Sequence, residues 1–209
     1  MKGICYIVGS GDFTSRDLAP VPGDFVIAAD GGYMHLKNAG IKPDLLVGDF
    51  DSLQEVPEEI EILRFPPEKD DTDMGLAVFA GIREGFTRFR IYGGSGSRFD
   101  HFYANLQLAA RVCASGHEIK IIAPDFNLHS LSEASLRMQK PAGTVFSVFS
   151  ATDKAEGVRI ENAKYTLSDA SLSNRFPLGV SNEFIGKEVT VSVKKGVLLI
   201  FEYLSPDYK

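Results

Sequence analysis

The chain has 209 residues with a formal net charge of -6, and 44% of its residues are hydrophobic. This apolar content is sufficient for one large packed domain or two small ones. An acidic chain without a stripe of lysine and arginine lacks the charges that neutralise a phosphate backbone, so the composition argues against nucleic-acid binding as the main task.

The first part of the chain alternates short apolar runs with helical patterns. The runs predict strands at 4–8, 25–29, 45–47, 62–65, 89–92 and 118–123. The helical patterns cover 32–38, 72–84 and 100–114, and a glycine suited to a left-handed cap follows each of them. This alternation predicts an α/β domain with a Rossmann-like parallel sheet over residues 1–127.

The first apolar run, Ile4–Val8, is too short for a membrane span or for the hydrophobic region of a signal peptide. The two cysteines, Cys5 and Cys113, lie in apolar patterns typical of buried thiols and indicate no disulfide framework. We therefore expect a soluble, cytoplasmic protein that has no membrane partner.

The pattern changes near Leu128 to short alternating segments. They predict antiparallel strands at 144–149, 157–160, 164–167, 187–193 and 197–203, in a small all-β sandwich domain over 128–209. The turn Lys194-Lys195-Gly196 lies between the last two segments and predicts a hairpin there.

Loops rich in glycine and acidic residues follow the predicted strands. Because the carboxyl ends of parallel strands form the ligand-binding edge of an open sheet, these loops are expected to meet there. They are Gly9–Gly11, Asp30–Gly32, Gly48–Asp51, Lys69–Asp73 and Gly93–Asp100.

Asp49 and Asp51 stand two residues apart, a spacing that points both side chains to one side of an extended segment. They either cap a turn or grip one ion. With Asp30 and Asp73 expected at the same edge, we favour contact with a metal ion or a substrate. An all-oxygen donor set favours a hard cation such as Mg²⁺ over Zn²⁺.

Three acids, Asp70, Asp71 and Asp73, precede or open the second helix, where the macrodipole favours negative charge. One acid is expected to serve only as a cap, and we take Asp73 as the functional residue. Lys69 is either a solvated surface lysine or a point charge for a phosphate.

The loop Gly93–Arg98 leads from a strand into a helix, so its backbone N–H groups can approach a phosphate closely. Arg98 can donate two parallel hydrogen bonds to phosphate oxygens. Asp100 is either the helix cap or a site residue, and His101 is a structural histidine rather than a base. We assign the ATP and phosphate side to Asp30, Gly31, Lys69, Asp70 and Arg98.

Several segments, in the same order and over nearly the whole chain, resemble the motifs of thiamine pyrophosphokinases. In the first part these are Ala29–Gly32, Gly40–Asp44, Gly48–Ser52, Lys69–Asp73 and Gly96–His101. In the second part, Ala163–Leu167 and Ser181–Glu183 are similar to later motifs of that family.

The resemblance implies a catalytic α/β domain and a β-sandwich that binds thiamine, in a homodimer with the substrate at the subunit interface. It implies transfer of diphosphate from ATP to the hydroxyl of thiamine, giving thiamine diphosphate and AMP. Asp49, Asp51 and Asp73 then correspond to the acids that serve Mg²⁺ and catalysis.

On the substrate side, Asp100 is similar to the family residue that contacts the aminopyrimidine, and Ser181 and Asn182 match a Ser-Asn motif. Tyr165 takes the place of a tryptophan that some members carry, and this chain has no tryptophan. Tyr165 is either a strand core residue or an aromatic face for the thiazolium cation.

Two alternatives stay open at this point. A related pyrophosphokinase that acts on a hydroxymethylpterin would need the same ATP and metal half. A non-catalytic sensor of thiamine or nucleotide would keep the fold without the chemistry, although the acidic set around the phosphates has no purpose in a sensor.

Overall fold

The structure is a computed structural model that describes residues 2–48, 59–65, 70–96 and 98–207. The chain divides into two compact units. The first consists of Met1–Leu108 and Ile121–Pro124, and the second of Ala109–Lys120 and Asp125–Lys209. The presence of a mixed α/β unit and a second, β-rich unit agrees with the fold class predicted from the sequence.

The first unit contains strands and helices in alternation. Its elements are β1 Cys5–Val8, β2 Phe25–Ala29, α1 Gly32–Asn38, β3 Leu45–Gly48, β4 Glu61–Arg64, α2 Asp73–Arg83 and β5 Arg88–Tyr92. Two further elements, α3 Phe99–Ala114 and β6 Glu118–Ile122, contain residues of both units.

Five strands of the first unit pair in the order β5-β1-β2-β3-β4, and each of these pairs is parallel. Parallel pairing brings the carboxyl ends of all five strands to one edge. The strands are short apolar runs; β1 and β3 are buried along their full length, as expected for a sheet covered on both faces.

The two faces of this sheet bury different helices. On one face, Leu36 of α1 packs in a cluster with Val8 and Val26. Helix α2 buries Met74 and Val78, which lie four residues apart on one side of the helix, and it contacts β1, β2 and β3. Burial of each such side chain contributes about 1.5–3 kcal/mol of transfer free energy.

The second unit contains two antiparallel four-stranded arrangements. One has the order β12-β9-β14-β7 and the other the order β11-β10-β13-β8. The strands are β7 Phe126–Ser132, β8 Ser135–Met138, β9 Val145–Ser150, β10 Ala155–Glu161, β11 Leu167–Leu172, β12 Gly179–Glu183, β13 Val189–Ser192 and β14 Val197–Tyr203.

Side chains from both arrangements share one core. Phe146 and Ile200 come from the first arrangement, and Ile160 and Val191 come from the second. The ring of Phe146 packs against that of Phe184 at a centroid distance of 4.9 Å. The alternation of apolar and polar residues along these strands places one side of each arrangement in this core.

Two details of the predicted β-structure are wrong. The strand expected at 164–167 is absent, because the regular strand begins at Leu167 and the preceding residues make only an isolated bridge between Ala163 and Phe184. The hairpin expected at Lys194-Lys195-Gly196 does not form, since β13 pairs with β8 and β10 whereas β14 pairs with β7 and β9. The backbone N–H groups of Lys194 and Lys195 instead donate to the carbonyl of Glu156.

One charged cluster is buried in the second unit. Glu202, which is 6% exposed, accepts hydrogen bonds from Asn127 Nδ2 at 2.9 Å and His129 Nε2 at 3.0 Å, and Lys140 Nζ lies 3.6 Å away. Burial raises the pKa of this carboxyl, but these hydrogen bonds and charges outweigh burial and lower the pKa to about 2.

Both cysteines are free thiols and both are buried, as the apolar patterns around them predict. Among the described residues, no helix combines the length and the apolar composition needed to cross a membrane.

Candidate active site

Loops at the carboxyl ends of β1, β2 and β5, together with the starts of α2 and α3, surround a cavity of about 500 Å³. The lining combines small glycine loops with acidic, amide and cationic side chains. It consists of Gly9, Ser10, Gly11, Asp12, Ala29, Asp30, Thr72, Asp73, Met74, Gly93, Gly94, Ser95, Gly96, Arg98, His101, Phe102 and Asn105.

The two glycine loops are hydrogen-bonded to each other along their length. Gly11 N donates to Gly93 O at 3.0 Å, and Asp12 N donates to Ser95 O at 2.7 Å. A side chain would prevent this approach, since a Cβ on Gly11 would lie 2.0 Å from Ser95 O. Gly93 also has a φ of +61°, in the left-handed region that glycine adopts readily. These glycines therefore allow the two loops to act as one wall of the cavity.

The start of α2 brings Asp73 to the cavity. The helix cap is Thr72, whose Oγ1 accepts a hydrogen bond from Gly75 N at 3.1 Å, and Asp71 Oδ1 accepts one from Thr72 N at 2.8 Å. The capping that we expected from one of the acids is thus done by the threonine. Asp73, the first residue of the helix, lines the cavity.

Asp30 lines the same cavity immediately after β2. Its φ of +47° is left-handed, an uncommon conformation for a residue other than glycine, and its N–H donates to Val47 O at 2.8 Å. Strained backbone of this kind clusters at ligand sites. The structure therefore brings Asp30 and Asp73 together at the strand ends, while the neighbouring Gly31 is not part of the lining.

Three of the expected site residues, Asp49, Asp51 and Lys69, lie outside the described residues. Asp70 is exposed and is not part of the cavity lining. Within residues 2–48, 59–65, 70–96 and 98–207, no three His, Cys, Asp or Glu side chains are arranged to hold a metal ion.

Arg98 lines the cavity, but its guanidinium already has a partner. Arg98 Nε donates to Asp100 Oδ1 at 3.0 Å and Nη2 donates to Asp100 Oδ2 at 2.7 Å. These hydrogen bonds hold the pKa of Asp100 well below its usual range and raise that of Arg98. Both side chains are exposed, so water or a phosphate can compete for the guanidinium.

The expected thiamine-side residues lie in the second unit. Ser181 belongs to β12 and lines a separate cavity of about 670 Å³ with Ser147, Phe149, Phe201 and other residues. Its φ of +56° is left-handed, and its N–H donates to Ser147 Oγ at 3.1 Å. The register of β12 against β9 shifts at this point, between Gly179 and Asn182.

Asn182 is 4% exposed, and its side chain is bound to the backbone of Tyr165. Asn182 Oδ1 accepts from Tyr165 N at 3.0 Å, and Asn182 Nδ2 donates to Tyr165 O at 2.6 Å. Its Oδ1 also accepts from Glu183 N at 2.9 Å. The Asn182 amide thus pairs with the backbone N–H and carbonyl of Tyr165, as a neighbouring strand would. It fixes the position of Tyr165 and does not face a ligand.

Tyr165 is 59% exposed and is not the strand core residue that one of our two interpretations made it. Lys164 Nζ lies 5.5 Å from the centre of the tyrosine ring and 2.8 Å from Glu183 Oε1. The hydrogen bond from Lys164 to Glu183 raises the pKa of the lysine. One face of the ring therefore already attracts a cation.

Sequence reasoning missed Asn105, which is 7% exposed and lines the first cavity. A signal was present in the sequence. Asn105 occupies the same helical face as the buried Leu108, Ala109 and Val112, at spacings of three, four and seven residues. A polar residue on an apolar helix face requires a partner, and such a residue near a glycine loop is a candidate site residue.

The fold and the cavity define an α/β protein that presents glycine loops and acidic side chains to a ligand at the ends of parallel strands. The model of the thiamin pyrophosphokinase catalytic domain matches residues 22–123, and the model of the thiamin pyrophosphokinase vitamin B1 binding domain matches residues 133–198. The chain belongs to the thiamin pyrophosphokinase family.

Individual relatives agree with this membership. The chain is 28% identical over 182 residues to the thiamine pyrophosphokinase of Bacillus subtilis (strain 168), an alignment that covers 83% of this chain and 85% of that protein. A crystal structure of a thiamin pyrophosphokinase family protein from Enterococcus faecalis is 27% identical, with a TM-score of 0.82 over 97% of this chain and 100% of that chain.

A crystal structure of thiamine pyrophosphokinase from Bacillus subtilis has a TM-score of 0.86 over 97% of this chain and 100% of that chain. The sequence identity in this comparison is 23%, so it establishes the similarity of fold.

Proposed function

We propose that the chain transfers diphosphate from ATP to the hydroxyl of thiamine, giving thiamine diphosphate and AMP. The observation that carries this proposal is the convergence of two glycine loops with Asp30 and Asp73 on one cavity, in a chain that thiamin pyrophosphokinase models match in both of its parts. Glycine loops supply N–H groups for phosphates, and carboxylates supply ligands for a phosphate-bound cation.

In this reaction the hydroxyl oxygen of thiamine forms a bond to the β-phosphorus of ATP. The bond from that phosphorus to the oxygen bridging the α-phosphorus breaks, AMP leaves with the bridging oxygen, and the hydroxyl proton is released. Phosphoryl-type transfers need alignment and charge neutralisation more than covalent help from the protein.

On the ATP side, we assign the phosphates to the N–H groups of the glycine loops and to Arg98, with Lys69, Asp70 and Gly31 nearby. Arg98 contributes to the cavity lining, which supports this role, although it must share its guanidinium with Asp100. A phosphate offers the same paired oxygen geometry as the Asp100 carboxylate.

We assign Mg²⁺ to Asp49, Asp51 and Asp73. The donor chemistry fits, because Asp73 and the neighbouring Asp30 line the cavity with carboxylate oxygens, the ligands that Mg²⁺ prefers. Bound there, the ion would neutralise charge on the phosphate oxygens. Asp73→Asn should keep the fold and strongly reduce turnover.

On the thiamine side, we assign Asp100, Tyr165, Ser181 and Asn182. The exposed ring of Tyr165 supports a role in attracting the thiazolium cation, and the hydroxyl of Ser181 borders a cavity with aromatic walls. Asn182 would act through Tyr165, whose backbone it holds.

We further propose a homodimer with the thiamine site at the subunit interface. The segment before Ser181 exposes three large apolar side chains, Phe176, Leu178 and Val180, at 67%, 52% and 50%. Clustered exposed apolar residues mark interaction surfaces. Equilibrium sedimentation should give twice the chain mass, and a monomer that is fully active would contradict this assignment.

Three finer assignments belong to the same proposal. We divide the chain into a catalytic domain at 1–127 and a thiamine-binding β-sandwich at 128–209. We describe the first domain as Rossmann-like, which its parallel strand pairs support. We place the protein in the cytoplasm, because two unpaired cysteines are typical of a reducing compartment.

The experiment that tests this function is an incubation of the purified protein with thiamine, ATP and Mg²⁺, followed by chromatography for thiamine diphosphate and AMP. A hydroxymethylpterin is offered in parallel, and a strong preference for it would reverse the substrate assignment. Binding of both ligands without AMP release would establish a sensor instead. Asp73→Asn is compared with Asp125→Asn, a change at an exposed acid outside the cavity.

A further inference from the structure

We propose that His35 and Asn105 are positioning residues for the ATP side of the reaction. Each holds one backbone carbonyl of the glycine loops, so that the N–H groups of these loops face the phosphates. The inference rests on the proposed function, because it concerns the same cavity, but it assigns roles to two side chains outside the set expected from the sequence.

An anion site built from backbone needs its N–H groups directed at the ligand and its carbonyl oxygens directed elsewhere, because a carbonyl oxygen repels an anion. In the paired loops, two carbonyls are occupied by backbone donors. Gly93 O accepts from Gly11 N, and Ser95 O accepts from Asp12 N. Neither carbonyl can turn toward a phosphate without losing its hydrogen bond.

Two further carbonyls are occupied by side chains from two helices. His35 of α1 has its Nε2 3.1 Å from Gly11 O, and Asn105 of α3 has its Nδ2 2.8 Å from Gly94 O. Gly11 O and Gly94 O thus have side-chain donors, one for each loop. Both helices therefore fix the orientation of a peptide plane in the cavity wall.

The donors themselves are held in place. The ring of His35 stacks on Phe13 with a centroid distance of 4.6 Å and an interplanar angle of 8°. Asn105 is 7% exposed, so its amide has little freedom to move. A carbonyl accepts only, so His35 Nε2 must carry a proton, which it does in the neutral Nε2–H tautomer and in the imidazolium alike.

In three of these four peptide planes the N–H group opposite the occupied carbonyl is available to a ligand. In the fourth, which His35 holds, that N–H belongs to Asp12; it donates to Ser95 O and so fixes the plane that carries Gly96 N. Among the residues that the structure describes, the N–H groups of Gly94, Ser95 and Gly96 make no hydrogen bond to the protein. These three groups belong to the cavity lining. Successive N–H groups of this kind form an anion-binding concavity, and the occupied carbonyls keep it oriented.

Two substitutions remove the donors and little else. His35→Phe keeps an aromatic ring for stacking on Phe13, and Asn105→Leu keeps the number and branching of the side-chain heavy atoms. Each has a control: Phe13→Leu removes the stacking partner but leaves the histidine donor, and Gln107→Leu makes a similar amide-to-alkyl change on the exposed side of α3. If Asn105→Leu fails to fold, Asn105→Ser is used, since serine is too short to reach Gly94.

The expected result is a rise of about tenfold in KM for ATP in both donor variants, since a carbonyl that loses its donor either turns or stays unpaired. KM for thiamine and the shape of the pH profile of kcat should stay as in the wild type, because His35 donates in both protonation states. Gln107→Leu should match the wild type, and Phe13→Leu should raise KM for ATP less than His35→Phe does.

ATP affinity is also measured by titration calorimetry without thiamine, so that the inference is tested even if no thiamine diphosphate forms. If the wild type binds ATP and both donor variants bind it about tenfold more weakly, the inference is supported, whether or not thiamine diphosphate forms. Folded donor variants that bind ATP within twofold of the wild type would overturn it. Loss of one limb of the pH profile in His35→Phe would also overturn it, since that result makes the histidine an acid or base.

Discussion

The contact between the two glycine loops leads to a prediction whose size follows from the structure. In Gly11→Ala the new Cβ would lie 2.0 Å from Ser95 O and 2.7 Å from Gly93 O. The shorter distance is about 1.4 Å below the 3.4 Å at which an ordinary contact begins. Both neighbours are backbone atoms, so the loops must separate to admit the methyl group.

A separation of this size should reduce both catalysis and stability, since overpacking against neighbouring atoms costs about 1–3 kcal/mol. A misplacement of about 1 Å in a positioning group costs about a hundredfold in rate, which is about 2.7 kcal/mol of transition-state stabilisation. We therefore expect kcat/KM for ATP to fall at least about a hundredfold in Gly11→Ala. The assay is the initial rate of AMP formation at saturating thiamine, with thermal unfolding recorded on the same samples.

The control is Gly23→Ala, in the loop before β2. Gly23 has a φ of +99° and no atom within 4 Å of an added Cβ, so alanine there strains the backbone without a collision. It should lower stability by about 1–2 kcal/mol and leave kcat/KM unchanged. Gly11→Ala protein that folds like the wild type and keeps a third or more of its kcat/KM would refute the reasoning.

Three further predictions concern other residues. Glu202→Gln should cost about 3 kcal/mol of unfolding free energy at pH 7, because folding lowers the pKa of Glu202 from 4.5 to about 2. This stabilisation is fully present above about pH 4.5 and disappears as the pH falls toward 2. The unfolding free energies of wild type and variant, measured in urea, should therefore converge in acid. Asn182→Leu should raise KM for thiamine about tenfold and leave KM for ATP unchanged, and the effect should vanish in a Tyr165→Ala background if the amide acts through that residue. Asp100→Asn should lower KM for ATP, because it frees the guanidinium of Arg98, and should raise KM for thiamine. If both KM values change in the same direction, Asp100 does not compete with a phosphate for Arg98.

Local patterns were sufficient to predict many elements of the fold. The strands Phe25–Ala29 and Val197–Tyr203 and the helix Gly32–Asn38 lie where the sequence places them. Each is bounded by residues that end regular structure locally, such as the Gly40 that follows α1 with a φ of +69°. Periodicity and turn residues act over a few positions, which is the range that a single sequence exposes.

Strand pairing was not predictable in the same way. Residues 194–196 have the composition of a hairpin turn, yet the strands on either side pair with different neighbours. The deciding contact is the carbonyl of Glu156, which accepts the backbone N–H groups of Lys194 and Lys195 from nearly forty positions away. Turn chemistry favours a hairpin locally, and non-local packing overrides it.

The candidate site was also predictable only in part. The location of Asp30, Asp73 and the glycine loops follows from one rule, that strand ends share an edge. The orientation of individual side chains does not follow from that rule. Asn182 turns toward a neighbouring backbone, and Arg98 forms an ion pair two residues along the chain, because each finds a hydrogen-bond partner there.

The two buried thiols give the protein a pair of internal reporters. Burial raises the pKa of Cys5 and of Cys113, so at neutral pH each sulfur stays protonated, and only a thiolate reacts with an alkylating reagent. Cys5 belongs to the first unit and Cys113 to the second. Iodoacetamide labelling followed by peptide mass spectrometry would therefore time the opening of each half separately, without any engineered probe.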